Sequence, residues 1–461
     1  MSRGLPQAAA LRARRWDVVV LGGALPGLAA AIRLGMSGLR VLIIEEESAA
    51  KLPDFMREPF FLPGGFGDGI VDACLRSLGI PVIDRRELVA SELAYQVLLP
   101  DARVDVGNAH VTAEELSAWA LAKPEPALDL LRRLAEAARA EGEALLAADP
   151  ARAQALRAGK RPALQVAARG LPSGMRELAP PLARFFALQT RALSNLAEAE
   201  PAPEELARLL GSPLLGGTSA ADAHGGIRAL LKRRLATLHA EFRPLAGAFQ
   251  FVEVGEHPGI AREQPADVWI GRAVVINAPV GKLAAAQRRW GYEVPRFLDG
   301  PAPSARRIAL HLRAIAEAIP EPLAPRALLE SEALPGGVAL SVLPSTRGAR
   351  FAELVARAVG PDDATAEPEI ALKLRAALGA LVPEGDPRIT AAPLAARPRW
   401  DDDAALVDPE RGASLGAQPP LRVGGRRPVF RLAREAAAAL GVEGDLLLGC
   451  QAGDAIRAEL A

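Results

Sequence analysis

The chain has 461 residues, half of them hydrophobic, with 55 Lys+Arg balanced by 55 Asp+Glu. Zero net charge argues against a nucleic-acid binder, which would show a basic excess or stripe, and aromatics at 4% disfavour a base-stacking platform. The 42 Gly and 39 Pro are under a fifth of the chain, below the roughly 25–30% of low-complexity disorder.

Arg3, Arg12, Arg14 and Arg15 precede an apolar run from Val18 to Ile32, which at first sight has the form of a secretory leader. The run falls short of the about 20 residues that a membrane span needs, and Gly22, Gly23, Pro26 and Gly27 punctuate its centre. It reads better as strand, turn and helix. Asp17–Leu21 is β-branched and continuous, as a buried parallel strand requires. Gly22-Gly23-Ala24-Leu25-Pro26-Gly27 is a tight turn opening a helix from Leu28 to about Ser37. Gly38 ends that helix, and Leu39–Ile44 is a second strand closing on Glu45.

This is the spacing of a dinucleotide-binding βαβ unit. Gly22 makes the turn, Gly27 lets helix and strand approach, and Pro26 is tolerated in the first helical turn. The helix N-terminus then faces a pyrophosphate. Glu45, 23 residues beyond Gly22, stands where a carboxylate accepts the hydroxyls of an adenosine ribose. Ala24 replaces the second fingerprint glycine; its methyl should push the phosphates slightly away, weakening binding without excluding it.

Residues 49–72 are loop-rich, with Phe55, Phe60, Phe61 and Phe66 among prolines and glycines. Tyr95–Pro100 and Arg103–Val106 alternate around a turn and predict a hairpin. Thr112 and Glu115 form a capping-box pattern. A long helix is expected from Ala127 to about Ala148, with Leu128, Leu131, Leu134 and Leu145 as its core stripe. Helix is also expected over 176–197, after Pro203, and from Ile227 to Glu241 behind Gly225-Gly226. Strands are expected at Gln250–Val254, Ala273–Ala278, Arg307–Leu312 and Val338–Leu343. Residues 357–420 read as mostly helix and loop, Leu421–Gly425 as a short strand, and Val442–Leu460 as a closing helix.

This order of elements resembles the flavoproteins of the phytoene dehydrogenase and amine oxidase superfamily. Asp17–Glu45 is similar to that family's adenine-dinucleotide site, and Val274–Pro279 to its return strand. Val423-Gly424-Gly425, then Leu440–Asp445 with Ala452–Ile456, resembles its C-terminal signature. The resemblance implies an α/β fold: a three-layer Rossmann-like FAD/NAD(P)-binding domain interleaved with a mixed α+β substrate domain. The dinucleotide domain would comprise residues 14–90, 214–285 and 405–461, and the substrate domain residues 91–213 and 286–404. It further implies FAD as cofactor, contacted by Gly22, Gly23, Ala24, Pro26, Gly27, Glu45, Val252, Gly425, Gly441 and Val442. Gly441 and Val442 would start a helix whose positive end stabilises charge on the flavin. The sequence departs from the family at Ala24, in lacking a GG pair after Glu45, and at Gly425-Arg426 in place of Gly-Asp.

The remaining residues carry little chemistry. The histidines (110, 224, 239, 257 and 311) have no paired ligand spacing, so no metal site is expected. No nucleophile elbow or phosphate loop is present, and no catalytic residue is assigned. His311 on the polar phase of its strand reads as a solvated face, His224 as a turn residue and Asp401-Asp402-Asp403 as a solvated loop. Cys74 and Cys450, the two cysteines, suit a reducing cytoplasm, and Cys450 reads as buried and inert. The implied function is an FAD-dependent oxidoreductase acting on a small apolar, isoprenoid or lipid-like substrate by hydride transfer, with peripheral membrane contact as a corollary and no nucleic-acid partner. The alternatives are an amine-oxidising or NAD(P)-using flavoenzyme, and a cofactor-degenerate relative serving as a binding or scaffold subunit.

Overall fold

The computed structural model describes residues 13–64, 69–146, 171–198, 200–220, 225–262, 267–344, 349–382, 388–389, 398–408, 421–424 and 427–461. The first of two large sheets runs in the order Glu241–Leu245, Val41–Glu46, Ala13–Leu21, Asp267–Ile276, His257–Arg262, Phe249–Val254. Val429–Arg431 pairs alongside Asp267–Ile276. The strands from Glu241–Leu245 through Asp267–Ile276 are parallel, and the last two are antiparallel.

Burial on both faces explains the continuous apolar character of Val18–Leu21 and Val41–Ile44. Val18, Val20 and Ile43 pack on the helices Leu25–Gly35, Ile70–Ser77, Ile227–Thr237 and Gly441–Leu460. Val19, Leu21, Leu42 and Ile44 pack on the opposite side against Phe249, Trp269 and Leu283. Gly441–Leu460 lies tightly along Leu25–Gly35 because its facing positions are bare. A Cβ on Gly449 would stand 2.4 Å from the Pro26 carbonyl oxygen, and one on Gly453 would stand 2.6 Å from Arg33 Cβ.

The second sheet runs Arg388–Ile389, Ala305–Ile315, Phe351–Pro361, Val338–Val342, Arg326–Leu329, Tyr95–Leu99, Ala102–Val106, with Ala405–Leu406 also paired to Ala305–Ile315. Ile308, Leu310, Leu340, Leu354 and Ala356 pack on the helix Glu367–Leu381. The helices Pro124–Leu146, Pro180–Leu193 and Pro203–Gly211 pack with the Tyr95–Val106 hairpin in a separate core. The α/β fold class expected from the sequence is the one observed.

Several elements differ from expectation. The first helix starts at Leu25 rather than Leu28, with Pro26 in its first turn. The capping residue of the helix Ala109–Ala118 is Asn108, whose Oδ1 accepts from the amides of His110 and Val111. Thr112 is instead inside that helix, fully buried, accepting from the Gly107 amide. Phe351–Pro361 is an eleven-residue strand rather than helix or loop; its Ala- and Val-rich pattern takes a central sheet position between two antiparallel partners. Residues 421–424 make only an isolated bridge, Arg422 to Phe430, and the paired strand is Val429–Arg431.

One ion pair ties the helical layer to the last helix. Arg208 and Glu443, 4% and 2% exposed, meet through two hydrogen bonds of 2.8 and 2.5 Å. Arg208 also donates to the Ala138 carbonyl at 2.8 Å. Arg208→Met strands a buried carboxylate, and the expected loss is about 3–5 kcal/mol in urea unfolding. A loss below about 1 kcal/mol, the scale of a surface pair, would refute the structural role given to it.

Candidate functional site

The Gly22–Gly27 turn sits at the C-terminal edge of the parallel strands, where α/β sheets bind ligands. Gly22 has φ of +111°, and a Cβ there would stand 2.4 Å from the Asn277 carbonyl oxygen. Gly23 is bare because Glu45 lies beneath it: a Cβ would meet Glu45 Oε1 at 1.9 Å. Asn277, at the end of its own strand, donates from Nδ2 to the carbonyls of Gly22 at 2.9 Å and Ala24 at 3.0 Å, and so fixes the turn. The amides of Ala24 and Leu25 have no acceptor among the described residues. Ala24 lines a cavity of about 30 Å³, one water's share of liquid volume.

An anion stands at this turn already, and it belongs to the chain. Asp401 Oδ1 accepts from the Gly23 amide at 3.0 Å, and Oδ2 from the Glu46 amide at 3.2 Å. Glu46 in turn accepts from the amides of Arg399, Trp400 and Asp401 at 2.8–3.2 Å. Trp400 is 1% exposed and meets Phe249 edge-on at 5.3 Å between ring centres. Residues 399–403 are therefore pinned across the strand ends, and the expectation of a solvated Asp401–Asp403 loop is corrected. Asp401 and Asp402 are 1% and 2% exposed, and Asp402 pairs with Lys282 and with Arg306 at 3.3 Å. The tripeptide is drawn inward because Asp402 meets Lys282 and Arg306, Asp403 meets Arg57 and Arg228, and Asp401 accepts from two backbone amides.

Glu45 sits in the same cluster. Arg57 bridges Glu45 at 3.2 Å and Asp403 at 2.7 Å. Arg228, 0% exposed, lies 3.2 Å from Asp403, 3.4 Å from Asp54 and 3.7 Å from Glu45. Burial pushes the Asp401 carboxyl up to about 7, with Glu45 and Asp403 adding repulsion against the pull of Arg57. Asp403, held by Arg57 and Arg228, is shifted below the usual carboxylate range despite burial. Glu58 accepts from the amides of Ile227 at 3.0 Å and Arg228 at 2.8 Å at a helix N-terminus. Burial nevertheless pushes it up to about 7.

A cavity of about 110 Å³ opens between the two sheets, lined by Leu25, Met56, Phe60, Phe61, Leu193 and Val442 on its apolar side. Arg307, Arg357 and Arg434 line its polar side. The structure brings Gly22, Gly23, Ala24, Pro26, Gly27 and Glu45 together, and sets Gly441 and Val442 at the start of the last helix beside this cavity. Gly441 has φ of +55°, and a Cβ would stand 2.1 Å from the Leu193 carbonyl oxygen. Val252 lies on an outer antiparallel strand opposite Gly259 and lines neither cavity mentioned so far.

Gly425, Arg426 and His224 lie outside the described residues. His311 is half-buried rather than solvated: it meets Phe55 edge-on at 4.8 Å and Glu353 at 2.7 Å. Cys450 is half-buried and hydrogen-bonds with Ser77 at 3.7 Å. Sequence reasoning missed Arg57, Arg228, Asp401 and Asp403. The one local sign was the Asp triplet, whose partners lie more than 300 residues away for Arg57.

Among the described residues no helix is long and apolar enough to cross a membrane, and no group of three or more His, Cys, Asp or Glu is placed to hold a metal ion. No protein-family model matches the sequence, and no curated protein does. Solved structures do. Putrescine oxidase bound to putrescine is 14% identical with a TM-score of 0.51, covering 97% of this chain and 100% of that one. An oxidoreductase from Methanosarcina mazei is 14% identical with a TM-score of 0.52, covering 94% and 98%. Cyclohexylamine oxidase from Brevibacterium oxydans IH-35A is 16% identical with a TM-score of 0.49, covering 96% and 99%. The chain thus shares, nearly end to end, the Rossmann-like fold of the putrescine oxidase and of the Methanosarcina mazei oxidoreductase.

Proposed function

We propose that the chain is an FAD-dependent oxidoreductase. The observation that carries this reading is the bare turn itself: open amides at a helix N-terminus, over a buried acid, at the ends of parallel strands. The residues fit the group. The open amides of Ala24 and Leu25 would hold the diphosphate, joined by that of Gly23 once Asp401 leaves it, with Glu45 at the ribose and the helix start at Gly441-Val442 at the ring end. When bound, the flavin supplies two-electron hydride exchange. The protein's own part is to orient and to exclude water. Asn277 holds the turn, the tight Leu25–Gly35 and Gly441–Leu460 packing fixes the two helix ends, and Met56, Phe60 and Phe61 keep one side of the cavity apolar.

That apolar side supports a substrate with an apolar body, in line with desaturation, saturation or isomerisation of an isoprenoid or lipid-like molecule. An amine-oxidising enzyme is the rival within the same fold. The cavity, about 110 Å³, is below the ≈ 300–1,000 Å³ of small-molecule sites.

A second reading has its own support. Asp401 occupies the Gly23 amide, which is what a cofactor-free relative using its own carboxylate as a permanent plug would show. One measurement separates the two. Purified full-length protein should absorb in the flavin bands and release FAD on denaturation. Colourless protein that takes up no FAD on reconstitution would leave the second reading in place of the first.

A further inference from the structure

Sheet register puts three arginines on one face. Ala309 pairs opposite Arg357, Arg357 opposite Ala339, and Arg326 opposite Ser341. Arg307, two residues before Ala309, is therefore a diagonal neighbour of Arg357, at about 7–8 Å between Cα atoms. Alternation sends Ile308, Leu310, Leu340 and Ala356 to the opposite face and its helix. The small residues Ala309 and Ala339 leave the guanidiniums uncovered on the cavity side. Arg357 and Arg326 also line a second cavity of about 110 Å³, which shares Glu58, Pro59 and Phe60 with the first.

These arginines are held by neutral groups. Arg307 donates to Asn195 Oδ1 at 2.8 Å, to the Ala192 carbonyl at 3.3 Å and to the Ser194 carbonyl. Arg357 donates to Ser341 Oγ at 3.2 Å and to the carbonyls of Phe55 and Glu58 at 3.1 and 3.2 Å. Arg326 donates to Thr218 O and Ser219 Oγ, both at 2.7 Å.

The acids that line the first cavity are engaged elsewhere. Asp445 is taken by Arg434 at 2.8 Å, Asp403 by Arg57 and Arg228, and Glu58 by two backbone amides. Burial, together with neighbouring guanidiniums, pushes Arg307 and Arg357 down to about 10, so both stay charged at neutral pH. Like charges gathered on one desolvated sheet face cost stability unless an anion meets them.

We propose that this face is a carboxylate seat: the substrate of the site is an acid with an apolar body, its carboxylate held by Arg307 and Arg357, and it is not an amine. The inference rests on the flavin reading for the reaction but not for the binding. The planar fork of a guanidinium suits a carboxylate, and Met56, Phe60 and Phe61 supply apolar wall beside it. An ammonium group entering the same space would meet the Arg307 and Arg357 guanidiniums, whose nearest acids, Asp445 and Glu58, are already engaged by Arg434 and by backbone amides.

The test compares octanoate with octylamine on the full-length protein, by thermal shift and by titration, with flavin content read separately from absorbance. Octanoate should stabilise the protein and octylamine should not. Arg357→Gln and Arg307→Gln should each weaken octanoate binding by about ten- to a hundredfold, the worth of a hydrogen bond to a charged group. Arg313→Gln, exposed on the same strand and paired with Glu353, should bind octanoate as the parent does. Should Arg357→Gln fail to fold, Arg357→Lys and Arg307→Gln carry the comparison.

Equal stabilisation by octanoate and octylamine, or octanoate binding unchanged in Arg307→Gln and in the Arg357 variant that folds, overturns the proposal. A colourless protein that binds octanoate through these arginines refutes the flavin reading and keeps the seat. A yellow protein indifferent to octanoate does the reverse.

Discussion

Gly27→Val is expected to abolish FAD retention while costing the fold about 1–3 kcal/mol, the usual price of overpacking. A Cβ at this position would stand 2.1 Å from Asn277 Nδ2 and 2.5 Å from its Cγ. Asn277 is the strut that holds the carbonyls of Gly22 and Ala24, so the clash falls on the group that shapes the turn. The helix cannot retreat, because the last helix packs against it so closely that a Cβ on Gly449 would stand 2.4 Å from Pro26 O. Flavin content after purification, together with the melting temperature, checks this. Gly27→Ala combined with Asn277→Ala should regain packing but not the turn geometry. Full occupancy with FAD in Gly27→Val would refute the placement of the diphosphate.

Asp401→Asn is expected to tighten FAD binding by about ten- to a hundredfold, the worth of removing one charge-assisted competitor from the Gly23 amide. Titration of the apoprotein, followed by flavin fluorescence, reads it directly. Affinity equal to that of the parent would mean that the carboxylate and the cofactor do not share the seat.

The same variant has a pH signature. Asp401 titrates near 7 in the folded chain and near 3.9 when unfolded. Across that window the folded state keeps a proton that the unfolded state has released, so this group's effect on stability becomes less favourable as pH rises. The slope is at most about 1.4 kcal/mol per pH unit. Asp401→Asn removes it, so the variant should gain on the parent in urea unfolding between about pH 4 and about pH 7. Glu58, raised in the same direction, keeps a similar slope in both proteins.

The nucleotide turn was legible because the pattern that marks it is local. Strand, glycines, helix and Glu45 all lie within Asp17–Glu45, although only Gly23 is bare for a reason inside that unit; Gly22 and Gly27 are bare because Asn277, at the end of a distant strand, packs against them. The hairpin Tyr95–Val106 and the closing helix are local in the same way. Phe351–Pro361 was missed because a central strand is made by its neighbours, here Ala305–Ile315 and Val338–Val342, more than by its own pattern. The polar phase of Arg307–Leu312 was seen, but polarity alone does not distinguish solvent from an internal cleft.

The sequence by itself therefore determined the α/β class, the glycine turn and most of the elements around it, since period and turn chemistry act over a few residues. Only the tertiary structure decided what faces that turn. Asp401 reaches Gly23 across 378 positions of chain, and Arg307 meets Arg357 only through strand register. Charges so far apart in sequence are brought together by hydrophobic packing of the sheets and helices. Once desolvated there, an acid at a turn and an arginine on a strand take their meaning from the groups buried with them.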